Sequence, residues 1–126
     1  YYEMMSLSLT KKRYTDLVKD ERYDLTSAVE LLNPLSNDLA VMRQTLLYSG
    51  LEAIAYNQNH RNADLKLYEF GKEYRKREGK YFEEKHLALF MTGNKEPENW
   101  DNKPEALSFY DLKASLNSVL QLLRIQ

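Results

Sequence analysis

The chain has no cysteine, which removes disulfides and thiolate chemistry. It has two histidines, His60 and His86, in separate segments with no second ligand at metal spacing beside either. A metal site needs three or four ligands, so no metal-binding residue is expected and both histidines read as capping or surface residues. No apolar run approaches the roughly 20 residues of a membrane-spanning helix. Neither sign of charge dominates: 18 Lys and Arg stand against 19 Asp and Glu, a net charge of −1. No global field therefore directs the chain to nucleic acid or to an anionic membrane. There is no Gly-x-Ser-x-Gly elbow and no phosphate-binding glycine loop. With only four glycines and three prolines, each of them punctuates the chain.

What is present has the composition of a globular domain. Over 126 residues, 43% are hydrophobic and 29% charged, enough for a single domain spanning 1–126 with one core. The chain opens on tyrosine, and its last eight residues, Val119 to Gln126, stop inside an apolar helical pattern. Domains usually end in polar, exposed termini, so the chain is expected to be a piece of a longer protein.

The periodicity predicts an α+β fold, a mostly antiparallel sheet with flanking helices. Tyr1 to Leu9 alternates loosely and reads as a strand. Thr10 can cap a short helix over Lys11–Val18; Arg22–Thr26 is a loop and Ala28–Leu32 a short strand. Asn33 precedes Pro34 and is pushed to extended backbone, and the neighbouring Ser36 favours a turn. Leu46, Leu47, Gly50, Leu51, Ile54 and Ala55 then fall at helical spacing, giving a helix over about Thr45–His60. Gly50 costs this helix roughly 1 kcal/mol relative to alanine, so a strand is expected to pack closely on it. Arg43, at the junction of turn and helix, reads as a solvated or salt-bridged surface residue.

Asp64–Lys76 reads as a strand with a bulge at Gly71. Arg77–Lys85 is charged and reads as a connecting loop, and Leu87–Thr92 alternates cleanly as a second strand. The two strands are expected to form an antiparallel hairpin. Gly93–Glu105 is a long loop that Trp100 should pin to the core. Ser108 and Asp111 form a capping-box variant opening a last helix, with Leu112, Leu116, Val119, Leu120 and Leu123 as its apolar face.

Two constellations bear on chemistry. Glu69, Glu73, Glu83 and Glu84 cluster around the hairpin, and paired carboxylates serve acid–base catalysis where a pocket separates their pKa values. Here they alternate with lysine and arginine, and a solvated, self-neutralising edge is the better reading. Lys72, Arg75, Lys76, Arg77, Lys80 and Lys85 interleave with Tyr74, Tyr81 and Phe82, the composition of an RNA-contacting surface. Lys72, Arg75, Lys76 and Arg77 are its candidate contacts, although four glutamates dilute it.

The turn carries a resemblance. Asn33, Pro34, Leu35, Ser36, then Asp38, then Met42-Arg43, then Thr45-Leu46-Leu47 resembles a signature of the bacterial phenylalanyl-tRNA synthetase beta subunit family. Tyr48-Ser49 stands where the family has Pro-Gly, which bears only on where the helix starts. Asn57 and Arg61 match the end of the family's helix. Leu67-Tyr68-Glu69-Phe70-Gly71 is similar to its Leu-Phe-Glu-Ile-Gly strand, and Phe109-Tyr110-Asp111-Leu112-Lys113 to its Phe-Phe-Asp-Leu-Lys helix opening.

The resemblance implies a truncated, non-catalytic class II aminoacyl-tRNA synthetase-like domain. Asn33, Pro34, Ser36, Asp38 and Arg43 would be its structural motif. The hairpin would correspond to the strand pair that holds an ATP-phosphate arginine in catalytic relatives. Arg75 is the candidate equivalent, but His86–Phe90 offers no matching acid, so no catalytic residue is expected in this stretch. For the whole enzyme the resemblance implies ATP, magnesium, tRNA, a cytoplasmic location and a heterotetramer with the catalytic alpha subunit. Two other readings stand beside it: an RNA-binding module using the Lys72–Lys85 region, and an unrelated α+β enzyme using the carboxylates. Exposed apolar surface on the last helix, or an open sheet edge, predicts weak self-association.

Overall fold

The computed structural model describes residues 1–14, 23, 25–96, 99–101 and 103–125. Its longest elements are two 13-residue strands, β4 (Leu65–Arg77) and β5 (Lys80–Thr92). They pair antiparallel without interruption, from Leu65 opposite Thr92 to Arg77 opposite Lys80. The expected loop over Arg77–Lys85 is therefore mostly strand. The turn needs only Glu78 and Gly79, with φ of 49° and 75°. Two successive positive φ values define a type I′ turn, whose twist matches the strands it joins. Alternation could not reveal this strand half, because Lys80 to Leu87 is exposed on both faces.

The bulge expected at Gly71 is also absent, since the register runs straight through it, Gly71 opposite His86. Glycine is needed there for close approach. A Cβ would overlap the Arg43 guanidinium and a Leu46 methyl.

Helix α1 (Leu47–Asn59) packs on one face of this hairpin. Gly50 lets it sit on Phe90 of β5, whose ring occupies the space that a Cβ would fill. The helix ends at His60, whose N–H bonds the Tyr56 and Asn57 carbonyls, and Arg61 takes the left-handed conformation, φ 62°. His60 Nδ1 lies 2.7 Å from the Tyr56 carbonyl, which can only accept, so that nitrogen carries a proton. Helix α2 (Phe109–Leu122) lies on the opposite face, with Ser115 and Val119 beside Tyr68 and Leu89. The Asp111 carboxylate accepts from both the N–H and the hydroxyl of Ser108, at 2.8 and 2.6 Å. No residue of α2 is buried; Leu116 and Leu123 of its expected apolar face are 43% and 60% exposed.

The N-terminal stretch is not one strand. β1 (Tyr2–Glu3) pairs parallel with β4 at Leu67 and Tyr68, whereas β2 (Leu9–Thr10) pairs antiparallel with β3 (Val41–Met42). Between them the chain leaves the β4 edge, and Met5 and Leu7 stand exposed. The strand expected over Ala28–Leu32 reduces to a single bridge, Glu30 to Val41. Of the helix expected over Lys11–Val18, the residues after Tyr14 lie outside the described ones; of the loop expected over Arg22–Thr26, Tyr23, Leu25 and Thr26 are described, the last two in a 3-10 turn, Leu25–Ser27. After β5, backbone bonds between Lys95 and Glu105 and between Leu107 and Gly93 close the long loop. Trp100 does not pin that loop: it is 97% exposed.

The fold is thus α+β with mostly antiparallel pairing. The core is small and unusually polar. Ala28, Val41, Leu46, Leu65 and Leu67 are buried, and so are Arg43, Gln44, Glu69 and Glu73. Among the described residues no helix is long and apolar enough to cross a membrane.

Candidate functional site

The buried charges organise the site. Along β4, alternate residues face α1, so Leu65, Leu67, Glu69, Gly71 and Glu73 share one side. Two carboxylates therefore enter the interior on the same stripe as two leucines. This corrects the reading of all four glutamates as a solvated edge: Glu69 and Glu73 are buried, Glu83 and Glu84 exposed.

An unpaired buried carboxylate is costly, so each must be matched. Glu69 meets Arg43, Nη1 to Oε1 at 2.8 Å, with both side chains almost wholly buried. The Ser6 hydroxyl lies 2.8 Å from both Glu69 oxygens, and the Ser6 N–H donates at 3.3 Å. Arg43 Nη1 also reaches the Ser6 oxygen at 2.6 Å, and Nε donates to the Lys72 carbonyl at 2.9 Å. The Tyr74 N–H donates to the Arg43 carbonyl at 2.9 Å. β1 has left this part of the β4 edge, and Arg43 supplies the bonds a neighbouring strand would make. The arginine expected at the surface is in fact the buried link between the signature turn and the sheet.

Glu73 is matched differently. Its Oε1 accepts from the Leu46 N–H, just before α1, at 3.3 Å. A carboxylate there also complements the positive end of the helix dipole. Its Oε2 lies 3.6 Å from Arg75 and 3.5 Å from His86.

The other signature residues do smaller jobs. Asn33 and Pro34 are exposed at the turn, and the Asn33 side chain bonds no described residue, so it does not tie the turn to the helix. Ser36 accepts from the Asp38 N–H at 3.0 Å and opens the short 3-10 turn Asn37–Leu39. Bonds from Leu31 to the Ala40 carbonyl and from Met42 to the Val29 carbonyl then deliver Val41 and Arg43 to the sheet.

The candidate RNA contacts do not form one surface. Lys72 and Lys76 lie on the face of β4 away from α1, where Lys72 bonds Glu83 at 2.7 Å and Lys76 sits over Tyr81. That bond raises the Lys72 pKa. Arg75 and Arg77 lie on the other face. Arg75 is held against Glu73 and over the Tyr23 ring, and its Nε is buried without a partner among the described residues.

A third cluster was not anticipated. Lys11 and the Tyr14 hydroxyl both bond Glu52 on α1, and Tyr14 stacks on Tyr48 with centroids 4.7 Å apart. The Lys11 contact holds the Glu52 pKa down, and Glu52 in turn holds that of Lys11 up. Burial raises that of Tyr48. Among the described residues no three His, Asp or Glu side chains come together as a metal ligand set.

Comparison with known proteins now decides the family. The family model for the phenylalanyl tRNA synthetase beta chain CLM domain matches residues 1–126. The chain belongs to that family. Among curated relatives, the phenylalanine–tRNA ligase beta subunit of Bacteroides thetaiotaomicron is 44% identical over 98% of this chain and 16% of its own length. That of Bacteroides fragilis is 42% identical with the same coverage. The beta subunit of Porphyromonas gingivalis is 35% identical over 95% of the chain, again 16% of the relative. The chain thus corresponds to about one-sixth of the curated beta subunits it matches. The turn-and-arginine signature read from the sequence is part of a match that spans the whole chain.

Proposed function

We propose that the chain serves as a non-catalytic, class II synthetase-like domain within the beta subunit of a cytoplasmic phenylalanine–tRNA ligase. It supports assembly with the catalytic alpha subunit for the charging of tRNA. The observation that carries the reading is where the charged side chains are spent. Arg75, the candidate for an ATP phosphate, is held by Glu73 and Tyr23 on the α1 face. Glu69 and Glu73 are committed to Arg43 and to the Leu46 N–H. Phosphoryl chemistry needs cations aimed at developing charge, and the residues present do not offer that arrangement to ATP and magnesium. Those would be bound elsewhere in the whole ligase. The same use of carboxylates argues against an unrelated acid–base enzyme.

Two measurements test this. A beta subunit carrying this chain should co-purify with the alpha subunit and lose that association when Arg43 is replaced. The isolated chain should give no ATP–pyrophosphate exchange and no heat of ATP binding. Micromolar ATP affinity, or an alpha–beta complex indifferent to unfolding of this domain, would overturn it.

RNA contact through Lys72–Lys85 is the weaker alternative, because its cations divide between two faces and two of them, Lys72 and Arg75, are engaged by carboxylates. Phosphate contacts would make tRNA affinity fall steeply with salt. A flat salt series with the isolated chain would dispose of that reading.

A further inference from the structure

The face of the hairpin away from α1 is laid out in rungs. α2 shelters the Tyr68–Leu89 rung, then come Phe70 opposite Leu87 and Lys72 opposite Lys85. Like charges directly opposite in an antiparallel pair destabilise it. Lys72 is partly relieved by Glu83, but Lys85 bonds no described residue. At the β4 edge of the same cleft, Arg43 is bonded through Nε and Nη1, while its Nη2 bonds no described residue. Beside the lysines the surface is apolar: Phe70 is 69% exposed and Met5 92%. Lys72, Lys85, Phe70, Leu87 and Met5 line one cleft of about 640 Å³. Phe70 and Leu87 also wall a second, apolar slot of about 300 Å³ running under α2 towards Val119. The two spaces meet at one rung, cationic on one side and apolar on the other. Volumes of this order are those of small-molecule sites.

We propose that this continuous cleft binds a small amphiphilic anion, a carboxylate or phosphate monoester with an apolar or aromatic body. The charged group sits between Lys72 and Lys85, and the body lies over Phe70 and Leu87 into the slot beneath α2. The site is independent of the reading as an assembly domain, since it uses the face opposite α1 and none of the buried Arg43–Glu69 bonds.

The test is an amide NMR titration of the 126-residue chain with phenyl phosphate, 3-phenylpropionate, inorganic phosphate and benzyl alcohol. Phenyl phosphate or 3-phenylpropionate should saturate shifts at Gly71, Lys72, Lys85 and Leu87, and the tighter of the two identifies the charged group. Inorganic phosphate and benzyl alcohol, each holding half of the chemistry, should bind there at least about ten-fold more weakly. The K72Q/K85Q double variant changes only exposed or half-exposed side chains and should fold normally. It should lose about ten-fold in affinity for the anions and none for benzyl alcohol. Shifts scattered over other lysines, or equal binding by the double variant, would overturn the site. So would protection of Lys72 and Lys85 from acetylation by a protein partner in the assembled ligase, which would make this face an interface.

Discussion

Two ion pairs on β4 have almost the same length and opposite meanings. Arg43–Glu69 spans 2.8 Å and Lys72–Glu83 spans 2.7 Å. The first is enclosed between the sheet and the signature turn, with side chains 6% and 2% exposed; the second lies in solvent, at 40% and 57%. Their lengths do not distinguish them, but burial does. In water the charges of an exposed pair are solvated whether or not they meet, so the contact adds little. In the interior the charge left behind by a missing partner has nowhere to go. The inner pair is also tied to the backbone, through the Lys72 carbonyl and Ser6, and the outer pair is not. The inner pair therefore helps to organise the domain, and the outer pair adds little to it.

The sharpest way to break this comparison is Arg43→Ala. It strands Glu69 in the interior and should cost about 3–5 kcal/mol in urea unfolding. A loss below about 1 kcal/mol would place the pair in the same class as an exposed one. Replacing both partners by apolar residues, R43M with E69L, should recover more than half of that loss, because no buried charge remains. Next in size is Gly71→Ala. Its methyl would meet Arg43 and Leu46, and an overpacked contact of this kind costs about 1–3 kcal/mol. A neutral outcome would mean that the guanidinium has room to move.

A smaller effect is expected on the acid side of the stability profile. The bonds from Ser108 hold the Asp111 carboxyl below its ordinary pKa. A depressed folded pKa contributes stability above the unfolded pKa and loses it as pH falls through the folded one. Asp111→Asn should therefore flatten the fall in Tm below the ordinary aspartate range of about pH 3.9 and lower Tm at neutral pH. An unchanged acid limb would count against the cap. Smallest of all is Lys72→Gln, which should leave Tm nearly unchanged; a clear drop, abolished by salt, would show the outer pair to matter more than its exposure allows.

Much of this was legible beforehand. The helix over Thr45–His60, the antiparallel partnership of the two strands and the cap at Ser108 and Asp111 follow from local rules of periodicity and capping, which act within a few residues. The family was legible too, because Asn33 to Leu47 keeps a demanding spacing. Glu69 offered a missed signal: it follows Leu65 and Leu67 on the same stripe, and a strict period of two puts it inside. The second half of the hairpin was hidden because Lys80–His86 meets no core, and only pairing with β4 makes it a strand. Trp100 was misjudged because a tryptophan's burial depends on what arrives to cover it.

The sequence by itself determined the two long helices, the cap at Ser108 and the family, since these reside in the order and spacing of neighbouring residues. Only the tertiary structure decided which charges are buried. Arg43, Ser6 and Glu69 stand up to 63 positions apart. Whether such residues meet depends on the register of β4 and the path of the turn, and burial energies are set by that meeting rather than by any residue's own chemistry.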